Sequence, residues 1–275
     1  MTGDFSSVPC LAAALAEGRV FDCAIIASET GRHRADLETL LTTGFTGRIL
    51  VEKPIFRASS DALVIREAAR DRIKVAYNLR FHPLLMALRE RLQAGSRVLN
   101  VVVHVGQDLN QWRADRPVEQ TYSSRKSGGG GVLRDLSHEL DYLTWLLGPW
   151  RSVCAMGGRL GDLPGDADDA WGVLLHFESG AMVTLAMDYF CKRPVRTLTM
   201  NTTDETIHVD LVQGVLADST GETRIGIDRD FTYQAQLRAF VAGQTSLCDF
   251  DQGLAVVRLI EAIEKSAMSG LAVAR

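Results

Sequence analysis

The sequence predicts an α/β protein, in which a partial doubly wound parallel domain is followed by an α+β domain with a large, mostly antiparallel sheet. Up to about residue 80, short apolar segments alternate with helical segments, which is typical of parallel βαβ units. Beyond about residue 95, strand-like segments follow one another with short turns between them, which favours antiparallel pairing. The 275 residues, of which 46% are hydrophobic, suffice for two domains, and we predict these at 1–80 and 81–275.

The first half contains three predicted strands with helices between them. The strands are FDCAIIAS, GRILVEKP and IKVAYN, which begin at Phe21, Gly47 and Ile73. The segment RHRADLETLLTTG has leucines at helical spacing and ends at Gly44, and SSDALVIREAARD begins with serines that can cap a helix. A further helix is predicted in VPCLAAALAEG, which ends at Gly18.

The second half contains six predicted strands and three predicted helices. The strands are RVLNVVVHVG, SVCAMGGRL, AWGVLLHFES, AMVTLAMDYF, RTLTMNTT and ETIHVDLV. Helical spacing predicts one helix over Asp135–Leu147 and two near the C-terminus, in TYQAQLRAFVAG and DQGLAVVRLIEAIEKSAM. Because three helices cover only one face of such a sheet, we expect the other face to mediate a homodimer.

Charge, apolar segments and cysteines exclude several classes of protein. The net charge of −4 gives no reason to expect nucleic acid or an anionic membrane as a partner. No apolar run approaches the ~18 residues of a membrane span, and the first residues lack the basic segment of a secretion signal. The five cysteines are scattered and form no Cys-x-x-Cys pair, which favours reduced thiols in a cytoplasmic protein over a disulfide framework or a zinc site.

Polar side chains follow the second and third predicted strands. Lys53 comes at the end of VEKP, and Asn78, Arg80 and His82 come at the end of the next strand, in YNLRFHP. Because doubly wound sheets bind ligands at the carboxyl ends of their strands, Lys53 could hydrogen-bond a substrate oxygen or lie near a cofactor ring. A solvated lysine in a βα loop fits the same pattern, and the spacing does not decide between these two interpretations.

The segment SGGGGVLRDLSHELD places four glycines before a row of polar residues. Asp135, His138 and Asp141 are three residues apart and would share one face of a helix. An imidazole between two carboxylates can be held in one tautomer and act as a general base. The glycines Gly128–Gly131 allow the backbone to approach a ligand closely. The alternative is an amphipathic helix whose leucines pack inward and whose polar residues face water.

Other motifs do not match. The segment HELDY is not His-Glu-x-x-His, so a metalloprotease site lacks its second histidine, and His138 with Asp141 has no evident third metal ligand. We therefore predict no metal site. The glycines match neither a P-loop nor a dinucleotide fingerprint. The histidines that occur singly in helical or strand patterns are expected to be structural, and they are His33, His104, His176 and His208.

The segments VEKP, YNLRFHP and GGGGVLRDLSHELDYLTWLLG, in this order, resemble the glucose–fructose oxidoreductase/inositol dehydrogenase (Gfo/Idh/MocA) family. The resemblance covers nearly the whole chain. It implies a Rossmann domain, followed by an α/β domain whose open sheet often forms a dimer interface. It also implies an NAD- or NADP-dependent dehydrogenase that acts on the CH–OH group of a sugar, a sugar derivative or a polyol.

The resemblance also implies site residues. Lys53 matches the lysine of the family's Glu-Lys-Pro motif, His138 matches its catalytic histidine, and Asp141 matches the acid one turn later. Asp135 matches the preceding acid, although the common family pattern places one more residue between that acid and the histidine. The predicted catalytic residues are Lys53, His138 and Asp135, the predicted cofactor contacts are Ser28, Glu52, Lys53 and Asn78, and the predicted substrate contacts are Arg80, Asp135 and Asp141.

One element of the family is missing from the sequence, which contains no G-x-G-x-x-G turn before a helix that could bind a pyrophosphate. About twenty residues precede FDCAIIAS, whereas a βαβ unit needs roughly 30. We therefore expect the 275-residue chain to bind a dinucleotide weakly or not at all. Two hypotheses remain open, namely a dehydrogenase, in this or a longer native form, and a non-catalytic relative that acts as a sugar-binding or interaction subunit.

Overall fold

A computed structural model describes residues 21–112 and 117–275 of the chain. The helix predicted to end at Gly18 lies outside the described residues. These residues form a four-stranded sheet, a nine-stranded sheet and the α-helices that pack against them. None of the helices in the described ranges is long and apolar enough to cross a membrane.

The strands and helices of the described residues are numbered here in chain order. The strands are β1 (Cys23–Ile26), β2 (Arg48–Val51), β3 (Ile73–Val75), β4 (Val98–Gly106), β5 (Trp150–Gly158), β6 (Ala170–Phe177), β7 (Met182–Asp188), β8 (Val195–Thr202), β9 (Thr206–Asp210), β10 (Val215–Asp218), β11 (Gly221–Arg224), β12 (Cys248–Asp249) and β13 (Val273–Ala274). The helices are α1 (His33–Thr42), α2 (Glu67–Arg70), α3 (Pro83–Gln93), α4 (Leu109–Trp112), α5 (Val132–Asp135), α6 (His138–Leu147), α7 (Phe231–Val241) and α8 (Phe250–Ser269).

The smaller sheet has the strand order β1-β2-β3-β12. β1 pairs parallel with β2, and β2 pairs parallel with β3, as the alternating pattern of the first half predicted. β12 pairs antiparallel with β3, so the C-terminal part of the chain adds an edge strand to this sheet. A side-chain capping box between Asp249 and Gln252 then begins α8, which packs against both sheets.

The helix predicted in SSDALVIREAARD is not continuous. The segment forms a 3-10 helix over Ser59–Val64, an extended residue at Ile65 and the short α2. Ile65 is only 2% exposed, whereas Leu63 is 84% exposed. The break therefore buries the isoleucine, and it costs little because β-branched residues such as Val64 and Ile65 are poor helix formers.

The larger sheet has the strand order β11-β10-β9-β8-β4-β7-β6-β5-β13. Neighbouring strands in this sheet pair antiparallel, except for the parallel pair of β4 and β7. This confirms the predicted, mostly antiparallel sheet. Buried residues such as Val103 and Leu185 alternate with more exposed ones along the central strands β4 and β7. One face of the sheet lies on the core, and the opposite face, called here the outer face, is exposed.

The structure contains a helix, α3, that we did not predict. His82 precedes it and accepts a hydrogen bond from the amide of Leu84 through Nδ1 (3.2 Å). Pro83 occupies the first turn, where a missing amide hydrogen costs nothing. The sequence YNLRFHP therefore contained a helix start as well as a strand end.

Candidate active site

Lys53 extends from the carboxyl end of β2 toward the second half of the chain. The amide of Glu52 donates to the carbonyl oxygen of Ile26 (2.9 Å), which continues the parallel pairing up to the lysine. The Nζ of Lys53 then donates a hydrogen bond to the backbone carbonyl oxygen of Asp135. Burial lowers the pKa of Lys53, against the opposing effect of the nearby acids Asp135 and Glu52.

The predicted helix Asp135–Leu147 is interrupted after its first residue. α5 ends at Asp135 and α6 begins at His138, with Leu136 (φ −99°, ψ 24°) and Ser137 between them. In a continuous helix the carbonyl of Asp135 would accept from the amide of Glu139. That amide instead donates to Leu136 (3.3 Å), which leaves the Asp135 carbonyl for Lys53.

His138 is the first residue of α6 and is only 8% exposed. Its ring lies edge-on to the ring of Tyr77, with the centroids 5.7 Å apart, and its Nδ1 is buried without a hydrogen-bond partner among the described residues. Burial lowers the pKa of His138 well below its usual range, and the positive charges of Lys53 and Arg196 lower it further. The imidazole is therefore neutral near pH 7.

The two acids that flank His138 in the sequence are buried but face other partners. Asp135 accepts a hydrogen bond through Oδ2 from the hydroxyl of Tyr189 (2.7 Å). Asp141 accepts two hydrogen bonds from Arg80. The predicted imidazole between two carboxylates is thus wrong for this structure, because the break between α5 and α6 turns Asp135 away from the face that carries Asp141. The alternative of a solvated polar stripe is also wrong, since all three side chains are buried.

Arg80 and Asp141 form a buried ion pair with each other, and their contact with a substrate stays a prediction. The guanidinium donates through Nε (2.9 Å) and one terminal nitrogen (2.7 Å) to the two carboxylate oxygens. Its other terminal nitrogen donates to Gln252 at the start of α8 (2.7 Å). Burial raises the pKa of Asp141, and the charge of Arg80 opposes this shift. These contacts indicate that the pair positions α6 against the end of β3.

The remaining predicted cofactor contacts lie at the carboxyl ends of the parallel strands. Ser28 follows β1 and donates to Asp36 (2.6 Å). Glu52 follows β2 and accepts from the backbone amide of the next residue (3.3 Å). Asn78 follows β3, is buried, and donates to Thr232 of α7 (2.7 Å). Their role in binding a cofactor stays a prediction.

Sequence reasoning missed a second ion pair next to His138. Glu139 in α6 is fully buried, and its Oε1 lies 3.0 Å from the Nε of Arg196 in β8. Burial raises the pKa of Glu139, and the charge of Arg196 opposes this shift. Nothing in the sequence RTLTMNTT distinguishes Arg196 from a solvated residue at a strand end, because its partner comes from a distant helix.

The glycines before α5 make room for other protein segments. A Cβ on Gly130 would lie 2.0 Å from the carbonyl oxygen of Tyr122, and one on Gly131 (φ +113°) would lie 2.0 Å from Oδ1 of Asp168. The carboxylate of Asp168 also accepts from the amide of Leu133 (3.0 Å). These protein contacts fix the start of α5, and the predicted approach of the loop backbone to a ligand stays a prediction.

Comparison with known proteins agrees with this fold. Residues 85–208 match the family model of the GFO/IDH/MocA C-terminal domain. GenD2 from gentamicin A biosynthesis, solved in complex with NAD, is 25% identical, with a TM-score of 0.80 over 98% of this chain and 82% of its own. The WlbA dehydrogenase from Bordetella pertussis, solved with NADH and UDP-GlcNAcA, is 21% identical, with a TM-score of 0.78 over 97% of this chain and 82% of its own.

An uncharacterized oxidoreductase from Synechocystis sp. is 29% identical over 154 residues, which are 52% of this chain and 40% of that protein. The match thus spans less than half of the curated relative. The fold and the matches define the class as an α/β protein with a parallel sheet followed by a large, mostly antiparallel one, similar in fold to GenD2. The match to the GFO/IDH/MocA C-terminal domain thus lies in the part of the chain that carries α6 and most strands of the larger sheet.

Proposed function

We propose that this chain is an NAD(P)-dependent oxidoreductase that acts on the CH–OH group of a sugar, a sugar derivative or a polyol. The observation that carries the proposal is that Lys53, which follows a strand of the smaller sheet, lies next to His138, which begins helix α6. The Lys53 ammonium binds the carbonyl that ends α5, and its charge acts on the imidazole that begins α6. A solvated lysine and a surface histidine would have no reason to converge in this way.

The residues at this position fit a dinucleotide cofactor in two respects. The carboxyl ends of β1 to β3 form the edge where doubly wound sheets bind nucleotides, and Ser28, Glu52 and Asn78 are the residues there that would hold it. The buried Nδ1 of His138 has no hydrogen-bond partner among the described residues, so the fold does not use this nitrogen. A bound nicotinamide would supply the hydride acceptor or donor.

The chain's own residues would handle the substrate's oxygen and proton. The neutral ring of His138 can take the hydroxyl proton, because its lowered pKa keeps it unprotonated near pH 7. Lys53 can donate to the same oxygen and stabilise the negative charge that develops on it, in exchange for its bond to Asp135. Asp135 then acts as a positioning residue, because Tyr189 occupies its carboxylate.

Two relatives support the proposed substrate class. WlbA was solved with UDP-GlcNAcA, a nucleotide-linked sugar acid, and levoglucosan dehydrogenase was solved with levoglucosan. An oxidisable carbinol in a carbohydrate ring is common to both. We propose a substrate of this chemistry for the present chain.

The test combines nucleotide titration with a substrate screen on the full chain. NADH and NADPH are titrated by fluorescence, and dehydrogenase activity is measured by nicotinamide absorbance with a panel of sugars, sugar acids and polyols. His138→Asn should lower turnover by roughly 10²–10⁴-fold, and Lys53→Met by roughly 10²–10³-fold. His208→Asn is the matched control, because His208 is exposed on the outer face.

Two results would contradict the proposal. Turnover that survives His138→Asn unchanged would remove the imidazole from the chemistry. Saturable sugar binding by a chain that binds neither nucleotide would favour the non-catalytic subunit instead. Failure to bind either nucleotide would also agree with the expectation that a 275-residue chain without a G-x-G-x-x-G turn does not bind a dinucleotide.

We also propose that the outer face of the larger sheet mediates a homodimer. Large apolar side chains are exposed on it, and they are Val102, Met156, Leu174 and Met182. Apolar side chains grouped on one sheet face are typical of an interface. Light scattering at micromolar concentration should give the mass of two chains, and a clean monomer would contradict the assignment.

A further inference from the structure

We propose that the chain binds one Zn²⁺ on the outer face of the larger sheet, through His104, Asp188 and Cys191. His104 lies in β4, Asp188 is the last residue of β7, and Cys191 follows three residues later. β4 and β7 are the parallel neighbours of the sheet, with His104 opposite Ala186, so Asp188 lies two residues further along β7 on the same face, although the two ligands are far apart in sequence. One ligand atom from each of the three residues lies within 4.8 Å of the other two.

The distances between the ligand atoms match a tetrahedral zinc site. A Zn²⁺ ion with a Zn–S bond of about 2.3 Å and Zn–N and Zn–O bonds of about 2.0–2.1 Å holds its ligand atoms about 3.3–3.5 Å apart. Here the Nε2 of His104 is 3.1 Å from the Oδ2 of Asp188. The Sγ of Cys191 is 3.6 Å from that nitrogen and 3.5 Å from that oxygen. The three atoms therefore already form one face of the coordination tetrahedron.

The backbone around the three ligands is held in place by hydrogen bonds. The amides of Gln107 and Asp108 donate to the carbonyls of Asp188 (3.1 Å) and Cys191 (2.8 Å), which joins the end of β4 to the turn after β7. The Oδ1 of Asp188 accepts from the amides of Phe190 (2.8 Å) and Cys191 (2.9 Å). One carboxylate oxygen thus orients the group, and the other is directed at the histidine and the thiol.

Gly106 provides the space that the cluster needs. A Cβ at this position would lie 2.6 Å from the Sγ of Cys191 and 2.8 Å from the Oδ1 of Asp188. Any side chain here would push the thiol and the carboxylate away from His104. The absence of a side chain next to the cluster is therefore what allows the three ligand atoms to meet.

The chemistry of the ligands favours zinc over the other common ions. A thiolate and an imidazole select Zn²⁺ against Mg²⁺ and Ca²⁺, which prefer oxygen ligands. Three protein ligands leave the fourth position to a water molecule. In the single chain the imidazole side chain is 43% exposed, and the ligands lie near or beyond the carboxyl ends of β4 and β7, where the ion and its water can enter from solvent. No motif in the sequence indicated this site, because the zinc patterns that can be recognised in a sequence have pairs of ligands close together along the chain.

The test measures metal binding by the full chain, purified without a histidine tag and freed of metal by dialysis against a chelator. Zn²⁺ is titrated in competition with a chromophoric chelator, and Co²⁺ is added separately to look for a thiolate-to-cobalt absorption band. We expect one Zn²⁺ per chain and a cobalt band that requires Cys191. Cys191→Ser and His104→Ala should each weaken zinc binding by at least about a hundredfold, since loss of outer partners alone costs 10–100-fold.

Cys154→Ser is the matched control, because Cys154 is a free, exposed thiol on the outer face of the same sheet, in β5. It should leave both the zinc affinity and the cobalt band unchanged. A second readout uses the unmutated chain, in which one equivalent of Zn²⁺ should slow alkylation of Cys191 but not of Cys154, as measured by mass spectrometry. The proposal is overturned if zinc binds with no defined number of ions per chain, or if Cys191→Ser has the zinc affinity of the parent. It is also overturned if zinc leaves the rate of Cys191 alkylation unchanged.

Discussion

The buried ion pair between Arg80 and Asp141 should make Asp141→Asn one of the most destabilising conservative changes in the chain. The substitution keeps the size and shape of the side chain and removes its charge. Arg80 is 4% exposed and Asp141 is 1% exposed, so water cannot replace the lost carboxylate. Gln252 and the ring of Trp145, whose centroid is 5.7 Å from the guanidinium carbon, would still hold Arg80 in its buried position.

The expected cost follows from leaving a buried charge without compensation. Breaking a buried ion pair by removing one partner costs about 3–5 kcal/mol. For a chain of this size, each kcal/mol shifts the melting temperature by about 2–4 °C, so we expect a decrease of roughly 6–20 °C. Replacing both partners, as in Arg80→Met with Asp141→Leu, should restore most of the stability, because an apolar pair of similar volume needs no desolvation of charge.

Thermal and urea unfolding, followed by circular dichroism, measure these effects. Glu38→Gln is the control, since Glu38 pairs with Arg34 at 3.3 Å on an exposed helix surface and should change stability by about 0.5 kcal/mol or less. If Asp141→Asn unfolds within 1 kcal/mol of the parent, roughly the worth of an exposed pair, the buried pair does not stabilise α6 as argued. A double variant as unstable as the sum of the two single variants would refute the compensation.

Two further predictions concern pH and packing. Burial lowers the pKa of His82 to about 4, so as pH falls from ~6.5 toward 4 the unfolded chain binds a proton there that the folded chain does not, and stability should fall. His82→Asn keeps an acceptor for the amide of Leu84 and should flatten this decline in melting temperature, whereas His208→Asn should not. Gly130→Ala should destabilise the fold by about 3 kcal/mol or more, because its Cβ would meet the Tyr122 carbonyl oxygen at 2.0 Å. Gly172→Ala, where the nearest atom is 3.9 Å away, should be tolerated, and equal melting temperatures of the two variants would contradict the packing argument.

Local patterns in the sequence predicted most strands and the C-terminal helices, because their apolar periodicity reflects which face is buried. The resemblance to the family predicted that Lys53 and His138 belong to one site. Their spacing along the chain could not predict this. The partners of the buried acids were not predictable in this way. Asp135 bonds to Tyr189 and Asp141 bonds to Arg80, and each of these contacts depends on how separate elements pack. The position of Arg196 beside Glu139 has the same origin.

The break between α5 and α6 explains how Lys53 is held beside His138. A continuous helix would use the Asp135 carbonyl for its own hydrogen bond and leave Lys53 without a buried acceptor. With the break, the lysine is held beside His138, and its charge helps to keep the imidazole neutral. Lys53→Met would leave that carbonyl buried and unpaired, at a cost of about 1–3 kcal/mol. The turnover of this variant therefore has to be compared with that of the parent at equal folded fraction. Any decrease that remains would reflect the loss of the proposed donor to the substrate oxygen.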